Sequence, residues 1–394
     1  MNSKSKILNE TKRLGIEGIL LTSPENIYYL TGLAPHQLTV SRKFGFSFAL
    51  ISSNPKENTL LTTMDYEYPA LEEISKGVEV LPYDTWVGVK SLKEWRNKSD
   101  EDSKVYGSSM DVLKKMMDRF NLQEARVGIE LDFLAVNDFT RLKENFPKIE
   151  WINVSEQLIK SRSVKTLREI EVYRKLTEVC DKALLEMSKY IKLGISEDEL
   201  IQIYRRECMV DNIYPSSWSM LGAGPNASML KLPSKNTIKD GNVLRFDGGC
   251  EASFEFYKTD FARSWIVGDA DPELIKIKQI LYSAQRKMIE SIKPGLEFKE
   301  LFKVGFDLVK EKLPNYKRGH LGHSISLGPQ TADGPFISLD QEGIIEENMI
   351  LCVEVPLYIR AYNGFNIEDM ILVKTDGAEI LTYRTPHFLE EENS

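Results

Sequence analysis

Four stretches in the second half of the chain decide the fold: VLRFDGG (243–249), FYKTDFARSWIV (256–267), NMILCVEVPLY (348–358) and GFNIEDMILV (364–373). Each carries one acidic residue in or beside an apolar run, and these are Asp247, Asp260, Glu354 and Glu368. Short apolar runs separated by turn residues are typical of β-strands. The four stretches therefore predict two β-hairpins with one carboxylate on each strand.

The two predicted hairpins resemble each other in sequence. DGNVLRFD (240–247) is similar to EENMILCVE (346–354), and in both hairpins the second acid leads into another apolar run. Each hairpin also follows a pair of predicted amphipathic helices. This order of helices, hairpin, helices and hairpin predicts an internally duplicated α+β unit that directs four carboxylates to one place.

Four carboxylates in one apolar pocket would repel one another unless protons or cations neutralised them. Two divalent cations would balance four carboxylates, and His323 in RGHLGHSISLG (318–328) offers a neutral nitrogen ligand. The alternative is a set of solvated surface acids, since the chain has 59 acidic residues. Strand-like apolar surroundings make an unpaired charge costly. We therefore predict a metal centre formed by Asp247, Asp260, His323, Glu354 and Glu368.

The first part of the chain differs from the second. Residues 1–155 alternate between helix-like and strand-like segments, which predicts an α/β layer domain. A polar connector follows, and Thr166 is a predicted N-cap for a long helix. The predicted organisation is a domain at 1–155, a linker at 156–166 and a second domain at 167–394. Residues 384–394 are expected to form a frayed polar tail.

Composition excludes several classes of function. The chain has 394 residues, 42% hydrophobic and 28% charged, as in a globular protein with full cores. A net charge of −8 and the lack of a basic stripe argue against nucleic-acid binding. No apolar run approaches membrane-spanning length. The four cysteines are far apart and the N-terminus lacks the apolar core of a signal peptide, so a cytoplasmic protein with reduced thiols is expected.

These residues resemble the pita-bread metallopeptidase family, which includes Xaa-Pro aminopeptidases, prolidases, methionine aminopeptidases and the metal-free enzyme creatinase. The ligand order of the family, Asp, Asp, His, Glu and Glu, is matched by FDGG, KTDFARS, GHS, VEVP and NIEDMILV. ILLTSPENIYYLTG (19–32) resembles the opening of the creatinase-type N-terminal domain. The resemblance covers nearly the whole chain and implies an α/β domain followed by a pita-bread catalytic domain with an internal pseudo-twofold duplication.

The resemblance also implies roles for the five ligands. Asp260 and Glu368 would bridge two divalent metal ions; Asp247 would complete one site, and His323 and Glu354 the other. Glu354 would also be the general acid/base. Manganese suits a site rich in carboxylates, with cobalt, zinc or iron as alternatives. By the same resemblance, the protein is expected to be a homodimer.

Three outer positions depart from the proline-cleaving members. Lys231 in GPNASMLK stands where those members have a histidine, Gln330 stands in place of a second histidine, and Asn366 replaces the arginine of a GxRxED motif. Lys231 could stabilise an oxyanion, bind an acidic group of a substrate or be an exposed loop lysine. The candidate substrate-binding residues are His320, Gln330 and Asn366. The separation from Asp247 to Asp260 also exceeds the roughly eleven positions of the family's hairpin.

The sequence thus predicts a metal-dependent hydrolase of a C–N bond. The substrate is an Xaa-Pro peptide, or a small amide-like metabolite if the altered outer positions mark a new specificity. The alternatives are a lyase that uses the metal as a Lewis acid and a binding module without catalysis. A binding module is expected to have lost metal ligands, and all five are present.

Overall fold

The structure is a computed structural model that describes residues 2–87, 89, 91–96, 107–328 and 332–389. The chain divides into two compact units, Met1–Arg162 and Ser163–Ser394. The segment predicted as a linker, 156–166, begins inside a helix, Ser155–Ser163. The two units are described separately below.

The first unit is a six-stranded mixed sheet with helices. Its strands are β1 (Gly18–Leu21), β2 (Phe48–Ser52), β3 (Thr59–Met64), β4 (Val78–Tyr83), β5 (Arg126–Ile129) and β6 (Glu150–Asn153), in the order β4-β3-β2-β1-β5-β6. Its helices are α1 (Ser3–Thr11), α2 (Pro24–Thr31), α3 (His36–Ser41), α4 (Tyr68–Ile74), α5 (Leu92–Arg96), α6 (Ser109–Arg119), α7 (Val136–Asn145) and α8 (Ser155–Ser163). The β1–β5, β3–β4 and β5–β6 pairs are parallel, as expected for an α/β layer domain.

The second unit has four long helices and antiparallel sheets. The helices are α9 (Leu167–Ser188), α10 (Glu197–Cys208), α11 (Pro272–Ser291) and α12 (Phe298–Lys312). The strands are β7 (Ile213–Pro215), β8 (Met220–Ala223), β9 (Asn242–Gly248), β10 (Cys250–Ala252), β11 (Phe261–Val267), β12 (His320–Ile325), β13 (Ala332–Ser338), β14 (Ile350–Glu354), β15 (Leu357–Ile359), β16 (Asn363–Phe365), β17 (Glu368–Lys374) and β18 (Gly377–Ile380). The main sheets have the orders β11-β9-β8 and β13-β12-β14-β17-β18.

The predicted order of helices and hairpins is confirmed. Helices α9 and α10 precede the antiparallel pair β9–β11, and α11 and α12 precede the antiparallel pair β14–β17. The predicted N-cap at Thr166 is confirmed, and Thr166 and Ser196 form capping boxes at the starts of α9 and α10. Both side chains accept a hydrogen bond from the backbone N–H of the third helical residue, which fixes where each helix begins.

Helix α11 packs against the sheet that carries half of the candidate site. Its buried residues recur at helical spacing and belong to one core with strands of the five-stranded sheet; they include Leu274, Ile277, Leu281, Ala284 and Met288. A Cβ at Gly305 of α12 would lie 2.2 Å from the Met288 sulfur, so a larger residue there would force the Met288 side chain to move. This packing makes β14 and β17 a rigid base for their acidic residues.

The prediction of a frayed tail is wrong for residues 384–389. The backbone N–H groups of Arg384 and Thr385 donate to the Asp181 carboxylate at 2.7 and 2.9 Å. His387 is buried, with Nε2 at 3.1 Å from the Asp369 Oδ2. A buried carboxylate at Asp181 gains partners from this segment, which local sequence does not reveal. Residues 390–394 lie outside the described part of the chain.

Among the described helices, none has the length and apolarity needed to cross a membrane.

Candidate metal centre

The ends of the two hairpins bring the predicted acids together. Glu354 is the last residue of β14 and is paired directly across from Glu368, the first residue of β17. Asp247 lies near the end of β9, opposite Ala262, and Asp260 lies immediately before β11. Since side chains alternate along a strand, the register decides which acids share a face.

Three of the acids form a tight buried group. One carboxylate oxygen each from Asp247, Asp260 and Glu368 lie within 4.8 Å of one another. The His323 Nε2 is 3.6 Å from the Asp260 Oδ2, and the His323 Nδ1 is 2.8 Å from the backbone oxygen of Ser324. A bond from Nδ1–H to that oxygen leaves Nε2 as the basic nitrogen that faces the acids.

The fourth acid, Glu354, lies beside the side chains of Arg318 and His320. Its Oε1 accepts a hydrogen bond from the Arg318 NH2 at 3.3 Å and lies 3.2 Å from the His320 Nδ1. Burial lowers the pKa of His320 by more than the neighbouring Glu354 carboxylate raises it. The imidazole of His320 is therefore neutral near pH 7 and can donate or accept a hydrogen bond.

The electrostatics of the cluster fit a bound cation. Burial raises the pKa of Glu368 well above its usual range, and Asp260, Glu354 and Asp247 raise it further. Burial also raises the pKa of Asp247, although the Arg245 guanidinium opposes this shift. A divalent cation would relieve both the burial cost and the repulsion, and carboxylate oxygens with one imidazole form a suitable donor set for Mn, Fe, Co or Zn. The residues present thus fit a metal centre.

Asn366 lies between two of the acids. Its amide Nδ2 is 3.3 Å from the Asp247 Oδ2 and 3.2 Å from the Glu368 Oε2. The same Asp247 oxygen accepts a hydrogen bond from the Arg245 NH1 at 2.8 Å. The candidate substrate residue Asn366 therefore contacts the proposed metal ligands directly, and a guanidinium is supplied at position 245 rather than 366.

Three residues of this site were missed by sequence reasoning. Arg245 and Cys352 each precede a predicted ligand by two positions, so they share its face of the strand, and this spacing was the available signal. The Cys352 sulfur lies within 4.8 Å of ligand atoms of His323 and Glu368 and donates to the backbone oxygen of Asp260 at 3.4 Å. Arg318 lies in a loop, where no such periodicity applies.

The remaining predicted residues have different positions. Lys231 is exposed, and its ammonium donates to the Asn226 Oδ1 at 3.4 Å. The ring of His320 packs edge-on against Phe336, with centroids 5.6 Å apart, and Phe336 also packs against His323. Gln330 falls outside the described residues.

A buried network supports Glu368 from behind. The Arg263 guanidinium donates to the backbone oxygen of Glu368 at 2.6 Å and to the Asp369 Oδ1 at 2.9 Å. Asp369 also accepts hydrogen bonds from Gln285 and Arg286. Such a network orients a ligand by fixing its backbone.

The match to a family of known enzymes agrees with this geometry. Residues 171–375 match metallopeptidase family M24, and residues 4–164 match the creatinase/prolidase N-terminal domain. The chain belongs to metallopeptidase family M24. As an M24 protein with the pita-bread fold and a creatinase-like N-terminal domain, it is a metal-dependent hydrolase.

Several M24 relatives are similar over nearly their full length. The chain is 26% identical over 384 residues to the uncharacterized peptidase YqhT of Bacillus subtilis, covering 96% of this chain and 97% of the relative. It is 26% identical over 370 residues to an Xaa-Pro dipeptidase of Pyrococcus furiosus, covering 93% of each. The solved structure of an Xaa-Pro dipeptidase from Bacillus anthracis superposes with a TM-score of 0.80 at 23% identity, covering 98% of this chain and all of the other, which shows a shared fold.

Proposed function

We propose that this protein is a dinuclear-metal hydrolase that cleaves a C–N bond in the manner of an Xaa-Pro aminopeptidase or dipeptidase. The observation that carries the proposal is the buried group of Asp247, Asp260 and Glu368, with the His323 Nε2 facing it. The names of relatives such as the Pyrococcus furiosus Xaa-Pro dipeptidase support the choice of the peptide bond that precedes proline.

The proposed ligand assignment gives each hairpin two ligands. Asp260 and Glu368 would bridge two divalent ions, Asp247 would hold one, and His323 with Glu354 the other. Divalent ions bound there would polarise the scissile carbonyl and lower the pKa of an attacking water. Manganese is the proposed metal, because carboxylate oxygens dominate the donor set.

Glu354 is the proposed proton carrier. Its carboxylate would take a proton from the attacking water and deliver it to the leaving nitrogen. The Arg318 NH2 at 3.3 Å would hold the carboxylate in position between these two transfers. The neutral imidazole of His320, 3.2 Å from the same oxygen, is placed to orient the substrate carbonyl or the leaving group.

A second candidate substrate class is a small amide that is not a peptide. It is favoured by Asn366, whose neutral amide contacts Asp247 and Glu368 where the proline-cleaving pattern has an arginine. Loss of that planar cation removes a partner suited to a carboxylate. Lys231 is proposed as a catalytic residue that stabilises the developing oxyanion, or alternatively as a point charge that binds an acidic group of the substrate, and Gln330 is proposed as a further substrate-binding position.

A substrate screen separates the two classes. The purified protein loaded with Mn²⁺ is tested on Xaa-Pro dipeptides, Xaa-Pro-Yaa peptides and a panel of small amides. Turnover of an Xaa-Pro bond supports the peptidase proposal, and turnover confined to amides without proline supports the second candidate. A Mn²⁺-loaded protein that hydrolyses neither class would contradict both.

We further propose that the protein acts in the cytoplasm as a homodimer. All four cysteines are free and buried, which suits a reducing compartment. Size-exclusion chromatography with light scattering tests the assembly: a clean monomer at micromolar concentration would contradict the dimer. Fractionation of cells that produce the protein tests the compartment.

A further inference from the structure

A loop at residues 224–236, here called the 224–236 loop, is held by a buried anion. Its first turn, Gly224–Ser228, is a 3-10 helix, and Leu230 and Lys231 are exposed. The fully buried Glu197 carboxylate accepts hydrogen bonds from the loop and its edge: the N–H of Ala223 (2.9 Å), the Asn226 Nδ2 (2.9 Å), the N–H of Ser234 (3.0 Å) and the Asn236 Nδ2 (2.7 Å). Charge-assisted bonds of this kind hold a loop firmly.

A buried cation also holds the same loop. The Arg245 Nε donates to the backbone oxygen of Ala227 at 2.8 Å, and its NH2 donates to that of Met229 at 2.7 Å. The third nitrogen, NH1, donates to the Asp247 Oδ2 at 2.8 Å. The Arg245 side chain is only 1% exposed, and its bonds to Ala227 and Asp247 are buried, while the bond to Met229 is partly buried.

Arg245 therefore connects the loop to a proposed metal ligand through one rigid group. The guanidinium is planar and always charged, and its donors keep a fixed geometry. A shift of the Asp247 carboxylate moves the Arg245 NH1. Because the guanidinium is rigid, the Nε and NH2 move with it, and these two nitrogens are bonded to the backbone oxygens of the loop. The Arg245 and Asn366 side chains both donate to the Oδ2 of Asp247.

We propose that Arg245 is a positioning residue that couples cation binding at Asp247 to the ordering of the 224–236 loop. This inference rests on the proposed function in one respect, namely that Asp247 binds a metal ion. By thermodynamic linkage the coupling is reciprocal: a cation that fixes Asp247 orders the loop, and an ordered loop strengthens cation binding by the same factor. Contact of a substrate with the exposed loop residues would thus tighten the metal centre.

Limited proteolysis measures the order of the loop without any measurement of activity. Lys231 is an exposed trypsin site in the loop, and Lys192 is an exposed site outside it. The rate of cleavage after Lys231, divided by the rate after Lys192, is measured by mass spectrometry with and without saturating Mn²⁺. This ratio separates ordering of the loop from a general stabilisation of the protein. Calorimetry on the same samples measures Mn²⁺ binding.

Two variants complete the test. Arg245→Lys keeps the charge but replaces the planar guanidinium by a single ammonium nitrogen, which cannot span the three separated acceptors. Arg360→Lys makes the same change at an exposed residue. We expect Mn²⁺ to lower the cleavage ratio at least about fivefold in the wild type and in Arg360→Lys, as for typical couplings between sites, and less than about twofold in Arg245→Lys. If Arg245→Lys does not fold, Arg245→Gln replaces it, and the wild-type measurement still decides whether the coupling exists.

The outcomes distinguish this inference from the proposed function. A wild-type protein that binds no Mn²⁺ in calorimetry overturns the proposed metal centre. Binding of Mn²⁺ with an unchanged cleavage ratio overturns the coupling and leaves the metal centre intact. Equal protection in the wild type and in Arg245→Lys overturns the role given to Arg245.

Discussion

Replacement of Glu368 by glutamine should stabilise the metal-free protein and abolish its stabilisation by Mn²⁺. Ligand oxygens of Asp247 and Asp260 lie within 4.8 Å of that of Glu368. At this separation two unit charges repel by about 3.5 kcal/mol with an effective dielectric constant of about 20, so two neighbours contribute about 7 kcal/mol. Glu368→Gln removes this charge and keeps the shape of the side chain.

Protonation limits how much of this repulsion the wild type bears. Protonation at pH 7 of a carboxylate with an ordinary pKa of 4.5 costs about 3.4 kcal/mol of free energy. This cost is less than the repulsion from the two neighbouring carboxylates. The metal-free wild type therefore keeps Glu368 protonated, consistent with its strongly raised pKa. Glu368→Gln avoids this cost, so we expect it to stabilise the metal-free protein at pH 7 by up to about 3 kcal/mol, or about 6–12 °C in Tm.

The effect has a definite pH dependence. The folded, metal-free protein binds a proton at Glu368 that the unfolded chain releases above pH 4.5, so the stability of the wild type falls as the pH rises. The advantage of Glu368→Gln should vanish toward pH 4.5 and grow toward pH 7. With Mn²⁺ at about a hundred times its Kd, the wild type should gain about 2.7 kcal/mol and the variant little.

The assay is thermal and urea unfolding in EDTA and in Mn²⁺ between pH 4.5 and 7. Glu342→Gln, at an exposed acid of the same unit, is the matched control. It should change the stability neither in EDTA nor in Mn²⁺. The reasoning is refuted if Glu368→Gln is less stable than the wild type in EDTA at pH 7 while keeping the full Mn²⁺ effect.

Three further changes test other parts of the site. Arg318→Gln should lower kcat about tenfold or more with little change in KM, because Glu354 loses the guanidinium that positions it; Arg318→Lys should recover part of the rate, and an unchanged kcat would contradict this role. Lys231→Ala should raise KM up to about fivefold and leave kcat near the wild-type value, as expected for an exposed ion pair with substrate; a loss confined to kcat would instead indicate an oxyanion role. Gly322→Ala should destabilise the protein by about 2–4 kcal/mol in urea unfolding, since φ is +136° and the new Cβ would lie 2.1 Å from the Cys352 oxygen. Gly343→Ala, at φ +104° with open space around it, is the control that isolates this clash and should cost less.

The features predicted from sequence were those that depend on local pattern. The acidic positions within apolar runs located the hairpins of Asp247 and Glu354, and the capping residue Thr166 located the start of α9. These signals need only a few neighbouring residues, because strand alternation and capping boxes are local geometry. The family resemblance then supplied the pita-bread fold and the separate roles of the five ligands.

The features not predicted depend on contacts between distant segments. Arg318 reaches Glu354 across 36 positions, and His387 reaches Asp369 from a segment expected to be frayed. Arg245 was visible as a residue two positions before Asp247, but its bonds to the backbone of the 224–236 loop depend on loop geometry. No periodicity specifies such partners, since they are set by how the sheets and loops pack together.

The most direct test of the metal centre measures metal content and hydrolysis together. Wild-type protein and Asp260→Asn are loaded with Mn²⁺, freed of excess metal by gel filtration, analysed for bound metal and assayed on the substrate found in the screen. We predict two ions per wild-type chain and metal-dependent hydrolysis, and a parallel loss of metal and rate in Asp260→Asn, because one bridging carboxylate is gone. Full metal occupancy together with the full rate in Asp260→Asn would contradict the account.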